Sequence, residues 1–414
     1  MNRSGEEFPA ERVIASATES TAESQTQVHD SGVFVTYCDP VEKFRGYLAI
    51  DGFNHQIAAG GFRVQPGLKP EHIARLASVM TLKHRLAGNR VDGAKSGIDY
   101  DPGSPGKREA IKRFFHAVRP YIVSRYSLGP DLNTSLPEID SIAAELDIPS
   151  VKLAVAKAQG LSLDEFQQRY RVFQELVDGW SLASRRSGHG TAVSVLALLR
   201  NLGIPPGEAT VAIQGFGGVG SACGYSLYRA GVRVVAVSDV AASLIAQQGG
   251  LDIPDLLRRR TSQTSVAQDP LPSNCVAGDR DQLFQIPCDV LVSSSLENSF
   301  CEAEARTVNV RAVAEAANFS LSSEADSILA ERGIHVLPDI VAGAGGVMSV
   351  GGLFSSVNVP AAADVLHYVG LKMNGLVDSI MASSLKTGRT LRDVATEFAQ
   401  QIELSACPRP YGDE

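Results

Sequence analysis

A glycine-rich turn at residues 215–220, Gly-Phe-Gly-Gly-Val-Gly, constrains the fold of this chain more than any other feature. Residues 209–213 before the turn form an apolar run typical of a buried strand, and the residues after it have helical periodicity. A second apolar run then ends in Ser238-Asp239. A strand, a glycine turn, a helix and a second strand in this order are typical of a dinucleotide-binding unit, because the glycines allow a tight turn and a close approach of the backbone to a phosphate.

The rest of the second half extends this unit. Residues 190–340 alternate between strand-like and helix-like segments, which predicts a doubly wound, mostly parallel sheet. Asp239 lies at the distance expected for a carboxylate that accepts hydrogen bonds from an adenosine ribose, and no arginine follows it nearby. A carboxylate repels a 2′-phosphate, so NAD is favoured over NADP. The predicted cofactor contacts are Gly215, Phe216, Gly217, Gly218, Val219, Gly220, Asp239, Asn318 and Thr191.

The 414 residues are predicted to form two domains after a tail. Residues 1–30 are rich in Ser, Thr, Glu and Gln and have few large apolar groups, which predicts a flexible tail. An α/β domain for substrate binding and oligomerisation is predicted over 31–185, rejoined by 360–414, and a Rossmann-type dinucleotide-binding domain over 186–355. Helical periodicity predicts helices over 70–88, 107–126 and 163–184.

Short glycine-rich segments with ionisable groups recur along the chain. In the first half they are Ala59-Gly60-Gly61-Phe62-Arg63, Met80-Thr81-Leu82-Lys83, Asp92-Gly93-Ala94-Lys95-Ser96-Gly97-Ile98 and Gly129-Pro130-Asp131-Leu132-Asn133-Thr134. In the second half they are Ser187-Gly188-His189-Gly190, predicted as a turn, the turn at 215–220, Ala314-Glu315-Ala316-Ala317-Asn318, and Leu337-Pro338-Asp339-Ile340 leading to Gly343-Ala344-Gly345-Gly346-Val347. In this order the chain resembles the glutamate/leucine/phenylalanine/valine dehydrogenase family from about residue 45 to 350.

The resemblance implies a reaction and a set of site residues. The reaction is the reversible oxidative deamination of an L-amino acid to a 2-oxo acid and ammonia, with hydride transfer to a nicotinamide. Lys83 matches the family's lysine for the substrate α-carboxylate, Lys95 the lysine that exchanges a proton with the attacking water, and Asp131 the aspartate that moves a proton to and from the substrate nitrogen. A lysine near another cation in a glycine-walled pocket is expected to have a lowered pKa. The residues predicted to line the substrate pocket are Lys83, Ala59, Gly60 and Gly61.

Four departures from the family pattern leave alternatives open. In the glutamate branch a lysine precedes the Gly-Gly pair and binds the distal carboxylate, whereas this chain has Ala59. Burying an unpaired carboxylate is costly, so an apolar or aromatic substrate is predicted, with glutamate dehydrogenase as the alternative. Gly343 replaces the asparagine of the family's Asn-Ala-Gly-Gly segment, Asn133 replaces the glycine that follows Asp131-Leu132, and Ser293-Ser294-Ser295 replaces the Pro-x-Ala turn near the nicotinamide. Gly343 and Ser294 keep open a third hypothesis, a non-catalytic relative that binds a nucleotide or an amino acid and acts as a regulator.

Composition excludes several classes of partner. Lys and Arg number 38 against 46 Asp and Glu, and aromatic residues make up 6%, which argues against nucleic-acid binding. The sequence has neither a signal peptide nor an apolar run long enough to span a bilayer, so we predict a cytoplasmic protein without a membrane partner. The six cysteines lack CxxC spacing, and the histidines form no HxxxH or HxH pair, so no metal site is predicted. The resemblance further implies a homo-oligomer whose small-molecule partner is an amino acid or a 2-oxo acid.

Overall fold

Two large β-sheets with helices packed against them form the framework of the protein. The computed structural model describes residues 23–29, 32–259, 265–404 and 408–412. The first sheet has six strands, the second has seven, and a third has two. The predicted fold class, two α/β units of which the second is mostly parallel, is confirmed. Within the described residues, every helix is too short or too polar to cross a bilayer.

Strands and helices alternate along most of the chain. The strands are β1 (Glu23–His29), β2 (Gly32–Cys38), β3 (Arg45–Asp51), β4 (Ala58–Val64), β5 (Asp92–Ile98), β6 (Tyr126–Pro130), β7 (Leu176–Val177), β8 (Trp180–Ser181), β9 (Thr210–Gln214), β10 (Arg233–Ser238), β11 (Ala242–Ala246), β12 (Cys275–Asp279), β13 (Val290–Ser293), β14 (Ala312–Glu315) and β15 (His335–Leu337). The helices are α1 (Pro70–Leu86), α2 (Lys107–Ala117), α3 (Arg119–Ser124), α4 (Leu136–Ala144), α5 (Leu153–Gln159), α6 (Leu163–Arg171), α7 (Leu182–Asn201), α8 (Gly218–Arg229), α9 (Ile253–Arg259), α10 (Glu302–Thr307), α11 (Ser323–Glu331), α12 (Asp339–Ala342), α13 (Gly345–Ser355), α14 (Ala362–Thr387) and α15 (Leu391–Gln401). Short 3₁₀ helices lie at Val172–Gln174 and Arg280–Gln285.

The first sheet is a mixed sheet with strand order β1-β2-β3-β5-β4-β6. Strand β4 is parallel to β5 and β6, and the remaining pairs are antiparallel. Helix α1 covers one face closely, because a Cβ at Gly93 of β5 would lie only 2.0 Å from the Ala77 carbonyl oxygen. On the other face Phe62 packs on Phe114 and Phe115 of α2, with ring centroids 5.7 and 5.0 Å away.

The second sheet has the order β12-β11-β10-β9-β13-β14-β15. Strands β10, β9, β13, β14 and β15 are parallel, and β11 and β12 extend the β10 edge in antiparallel pairing. Strands β13 and β14 are buried along their whole length. That burial explains their apolar composition, because helices cover both faces of a sheet of this kind.

The C-terminal helices join the two units. Val365, near the start of α14, packs in the core of the first unit, whereas Ile380, near its end, packs in the core of the second. Val394 of α15 also belongs to the second core. The structure therefore differs from the prediction that 360–414 rejoins the first domain, because the apolar face of a helix can pack on either unit and its periodicity does not say which.

Strand β1 lies within the segment that was predicted as a flexible tail. It pairs antiparallel with β2 along all seven residues, so the prediction is wrong for Glu23–His29. Main-chain hydrogen bonds hold an edge strand, and polar residues make them as well as apolar ones do. The rest of that prediction, over residues 1–22, lies outside the described residues, and the domain boundaries stay predictions.

Two predicted helices are divided in the structure. The segment 107–126 forms α2 and α3, because Pro120 in the first turn of α3 has no amide hydrogen to continue the preceding helix. The segment 163–184 ends as a helix at Arg171 and continues through the hairpin β7–β8. Asp178 and Gly179 form its turn with φ of 53° and 81°, a conformation that Asp-Gly and Asn-Gly pairs favour.

Helix α7 runs straight through the Ser187-Gly188-His189-Gly190 segment, which was predicted as a turn. A Cβ at Gly188 would lie 2.4 Å from the carbonyl oxygen of Val219 in α8. A Cβ at Gly190 would lie 2.4 Å from the Cα of Gly345 in α13. The two glycines therefore allow three helices to pack closely, and this packing outweighs their poor helix propensity.

Candidate active site

The candidate active site lies on the face of the first sheet that α1 covers. Lys95 projects from β5, Asp131 directly follows β6, and Lys83 lies on α1. A Cβ at Gly61 of β4 would be 2.8 Å from the Asp131 Cβ and 3.3 Å from Lys95 Nζ. A Cβ at Gly60 would overlap the backbone of β5. Glycines are therefore required where β4 passes the lysine and the aspartate.

Lys95, Asp131 and Arg63 form one buried ion cluster. Lys95 Nζ lies 2.7 Å from Asp131 Oδ2, and Arg63 Nε donates to the same oxygen at 2.7 Å. Burial lowers the pKa of Lys95 to about 8; the Asp131 charge opposes this shift and the Arg63 charge adds to it. Burial alone would raise the pKa of Asp131, but the charges of Lys95 and Arg63 hold it below its usual range. The cluster thus pairs an ionised carboxylate with a lysine that can exchange its proton near pH 8.

Lys83 connects the two units across the cleft. Its Nζ donates to Asn318 Oδ1 at 2.6 Å, and Asn318 follows β14 of the second sheet. Burial lowers the pKa of Lys83, against the opposing charges of Asp339 and Asp131. The Lys83 charge also lowers the pKa of Lys95. The three residues predicted to act on the substrate are therefore close enough to influence one another.

Gly343 leaves no gap where the family's asparagine is missing. A Cβ at this position would lie 2.9 Å from Lys83 Nζ and 2.8 Å from the Asp339 carbonyl oxygen. A larger side chain would therefore push against the Lys83 ammonium group. The amide that contacts Lys83 is that of Asn318, which was predicted to contact the cofactor.

A second group of contacts joins α1 to the second unit beside the site. His72 Nε2 lies 2.6 Å from Glu297 Oε2, and Arg75 Nη1 lies 3.5 Å from Glu297 Oε1. The Arg75 guanidinium also stacks on Phe319, 4.0 Å from the ring centroid. His72 Nε2 is 3.5 Å from Arg63 Nη1, so these contacts extend to the ion cluster.

The glycine turn has the shape that a dinucleotide phosphate requires. Gly215 adopts φ of +83°, and a Cβ at Gly220 would lie 2.1 Å from its carbonyl oxygen. Gly217 and Gly218 are exposed, and nothing lies within 4 Å of a Cβ at either position. Val219 belongs to the first turn of α8, whose N-terminal end favours an anion. The residues present therefore fit a pyrophosphate at this turn.

Two of the residues predicted to contact the cofactor are buried and form hydrogen bonds within the second part of the chain instead. Phe216 is fully buried, and its amide donates to the Ser238 carbonyl at 2.7 Å. Thr191 is also fully buried, and its hydroxyl donates to the Ala342 carbonyl at 2.9 Å. Phe216 thus serves the interior of the second unit, and Thr191 ties α7 to α12. The structure does not support these two residues as cofactor contacts.

Asp239 is a fixed anion at the end of β10. One carboxylate oxygen accepts from the amides of Ala241 and Ala242 at 2.9 and 3.0 Å, and the other accepts from the Val266 amide at 2.6 Å. Burial alone would raise the pKa of Asp239, but these amides lower it. An ionised carboxylate held in this way suits a ribose diol and repels a 2′-phosphate.

Ser294, another departure from the family pattern, supports the glycine turn. Its Oγ lies 2.8 Å from the carbonyl oxygen of Gln214 and 2.7 Å from that of Gly215. A Cβ at Gly220 would come within 2.6 Å of the same hydroxyl. The serine therefore has a structural role at the start of α8.

Sequence reasoning assigned no role to Arg63, His72 or Glu297. The two-residue period of a strand places Arg63 on the same face of β4 as Ala59 and Gly61, and this signal could have identified it. His72 and Glu297 lie 225 positions apart in segments without a motif, so no local signal connects them.

Comparisons with known proteins give one consistent result. Residues 26–147 match the model "Glu/Leu/Phe/Val dehydrogenase, dimerisation domain", and residues 179–401 match "Glutamate/Leucine/Phenylalanine/Valine dehydrogenase". The chain is 30% identical over 321 residues to a glutamate dehydrogenase of Thermotoga maritima, covering 74% of this chain and 71% of that protein. It is 32% identical over 313 residues to an NAD-specific glutamate dehydrogenase of Staphylococcus aureus, with the same two coverages. The hetero-hexameric glutamate dehydrogenase from Thermus thermophilus, in its leucine-bound form, superposes with a TM-score of 0.69 at 26% identity, covering 92% of this chain and 86% of that one.

Proposed function

Because the chain belongs to the glutamate/leucine/phenylalanine/valine dehydrogenase family, we propose that it catalyses the NAD-dependent, reversible oxidative deamination of an L-amino acid to a 2-oxo acid and ammonia. The observation that carries this proposal is the buried pair of Lys95 and Asp131, 2.7 Å apart, with Lys83 beside it. A purely structural ion pair does not need a glycine on the neighbouring strand. Here Gly61 must be a glycine, because a Cβ at this position would crowd both members of the pair.

Substrate binding in this proposal begins with Lys83. Its ammonium group binds the α-carboxylate and, through Asn318, holds the first unit against the second. The contact between His72 and Glu297 supports the same closed arrangement. Closure excludes water before hydride transfer, which protects the reacting Cα.

Proton transfer in this proposal belongs to Lys95 and Asp131. NAD, when bound, would supply the acceptor for the hydride that leaves Cα, and the oxidised substrate carries an iminium group at this carbon. Lys95 in its neutral form then takes a proton from the water that attacks this carbon. The Asp131 carboxylate accepts a proton from the substrate ammonium and returns one to the leaving ammonia, and Arg63 keeps it oriented.

The cofactor assignment to NAD rests on the first turn of α8 and on Asp239. Gly217, Gly218 and the N-terminus of α8 would hold the pyrophosphate, and the fixed Asp239 carboxylate would accept from the ribose hydroxyls. The cytoplasmic location stays part of the proposal. So does assembly into a homo-oligomer, for which the dimerisation-domain match and the hexameric Thermus relative give support.

The direct test is the increase of reduced-nicotinamide absorbance when purified protein is given NAD and a panel of L-amino acids. We expect turnover with at least one amino acid and a kcat/KM at least tenfold higher with NAD than with NADP. Binding of NAD without turnover of any amino acid would favour the non-catalytic alternative. A preference for NADP would contradict the role given to Asp239.

The pH dependence of the same reaction is a further prediction. Lys95 must be neutral to act as a base, so kcat/KM for oxidative deamination should rise with pH through an apparent pKa near 8. The Arg63 charge lowers the pKa of Lys95, so Arg63→Met should move this rise to higher pH. Arg63→Lys keeps the charge and serves as the control. An unchanged pH profile in Arg63→Met would show that the rise in kcat/KM does not report the deprotonation of Lys95.

A further inference from the structure

The turn at residues 131–134, directly after β6, carries the Asp131 carboxylate, and its other side chains have no part in the reaction as proposed. Asn133 stands where the resemblance leads us to expect a glycine. Its φ is 60°, the left-handed conformation that glycine takes freely and that asparagine adopts more readily than most other residues. Asn133 therefore keeps the backbone shape that a glycine would give and adds a side-chain amide.

Both polar side chains that follow Leu132 in this turn bind main-chain groups of β4. Asn133 Nδ2 donates to the Val64 carbonyl oxygen at 2.9 Å, and Thr134 Oγ1 lies 2.9 Å from the Phe62 carbonyl oxygen. The main chain adds a further contact, because the Val64 amide donates to the Leu132 carbonyl oxygen at 3.1 Å. The turn is thus attached to β4 by side chains as well as by its backbone.

These contacts enclose the ion pair of Arg63 and Asp131. Arg63 stands between Phe62 and Val64, and its side chain leaves the strand to donate from Nε to Asp131 Oδ2 at 2.7 Å. The Thr134 hydroxyl also binds the other partner, since it accepts from the Asp131 amide at 2.9 Å. The turn therefore fixes the backbone on both sides of Arg63 and the backbone of Asp131 itself.

The position of the Asp131 carboxylate affects two cations at once. Lys95 Nζ and Arg63 Nε both lie 2.7 Å from Oδ2, so a small displacement of the carboxylate changes both distances. An aspartate has a short side chain, and its carboxylate therefore follows its own backbone closely. A misplacement of about 1 Å at a reacting group can cost about 100-fold in rate.

We propose that Asn133 and Thr134 are positioning residues, whose hydrogen bonds to β4 hold the Asp131 carboxylate in place for proton transfer. The inference rests on the proposed deamination and adds two residues to it. Asn133 is exposed and Thr134 is half-buried, so neither side chain is needed to fill the core. Their common feature is that each binds the strand that carries Arg63.

The first experiment removes the threonine hydroxyl. Thr134→Val has nearly the same shape and should lower kcat for oxidative deamination by between about 10- and 100-fold, with KM for the amino acid changed less than about threefold. Thr134→Ser keeps the hydroxyl and should retain at least about a third of the unmodified kcat. Thr396→Val in α15 is the matched control, because its hydroxyl also donates to a carbonyl oxygen, that of Arg392 at 2.8 Å. An unmodified kcat in Thr134→Val would overturn the role of the hydroxyl.

The second experiment removes the asparagine amide and does not depend on the folding of Thr134→Val. Asn133→Gly keeps the backbone conformation without strain and should lower kcat by between about 3- and 10-fold. Asn274→Gly is the matched control. Asn274 also has a positive φ, of 65°, and its amide donates to the Gln248 carbonyl oxygen at 2.6 Å beside β12. Equal kcat values in the two variants would overturn the role of Asn133.

Two further measurements distinguish positioning from a general loosening of the fold. The Asp131 charge raises the pKa of Lys95, so a displaced carboxylate should move the rise of kcat/KM to lower pH in Thr134→Val, by roughly half a unit. In the double variant Asp131→Asn/Thr134→Val, kcat should equal that of Asp131→Asn within about threefold, because the hydroxyl no longer positions a charge. An unshifted profile, or losses that multiply in the double variant, would contradict the inference.

Crystal structures of the unmodified protein and the variants test the same point without turnover. In Thr134→Val and Asn133→Gly the Asp131 carboxylate should move by about 1 Å or occupy two positions, whereas Thr134→Ser should keep its contact with Lys95 at 2.7 Å. An unmoved carboxylate would overturn the role of the residue that was replaced. If the unmodified protein deaminates no amino acid, the proposed function fails, and this comparison still decides whether the turn positions Asp131.

Discussion

Lys95→Ala is expected to lower kcat for oxidative deamination by about 10³-fold, which corresponds to roughly 4 kcal/mol of transition-state stabilisation. The variant has no base within reach of the water that attacks the iminium carbon, so hydration and ammonia release become slow. The fold should persist, because Arg63 still donates to Asp131 at 2.7 Å and leaves no unpaired buried carboxylate. The measurement is the steady-state rate of NAD reduction at saturating substrate and cofactor.

Two controls make this result specific. Lys69→Ala, at an exposed lysine before α1, should retain the wild-type kcat. Small primary amines added to Lys95→Ala should restore part of the rate, and the rescued rate should increase with the basicity of the amine. Turnover within tenfold of the unmodified protein, without added amine, would remove Lys95 from the role of base.

The sequence predicted those parts of the molecule that depend on local pattern. The turn at 215–220 could be recognised from the sequence because its glycines, the strand before it and the helix after it are contiguous. Lys83, Lys95 and Asp131 were identified through ordered motifs, and the structure brings them to one cleft. Ala59 lies on β4 two residues before Gly61 and on the same face of the sheet, and its place in the substrate pocket stays a prediction.

The parts that could not be predicted depend on contacts between distant segments. Gly188 and Gly190 look like helix breakers, and only the approach of α8 and α13 explains why they lie inside α7. Lys152 follows an apolar helix pattern without any motif, so nothing local indicates that its ammonium group reaches the sheet face beside Ala59.

The pair formed by His72 and Glu297 illustrates the same limit for the relation between the two units. Each residue alone has the pattern of a solvated charge on a helix or a loop. Together, at 2.6 Å, they help to hold α1 against the second sheet, close to where Lys83 reaches Asn318. Contacts between single residues of separate segments thus hold the cleft closed. Only the structure shows that these residues lie next to one another.

Asp131→Asn is expected to lower kcat by between about 10²- and 10³-fold, because an amide cannot accept the proton of the substrate ammonium. A second effect distinguishes this role from a structural one. The Asp131 charge raises the pKa of Lys95, so its removal should lower that pKa below 8. The rise of the residual kcat/KM with pH should therefore move to lower pH, opposite to the shift expected for Arg63→Met.

The Asp131→Asn variant should still fold. Lys95 can release its proton, so the charges of Lys95 and Arg63 do not have to be buried together. A profile of kcat/KM against pH for both variants measures these shifts. Near-normal turnover in Asp131→Asn would contradict the division of proton transfer between Lys95 and Asp131. So would pH profiles of kcat/KM that shift in the same direction in Asp131→Asn and Arg63→Met.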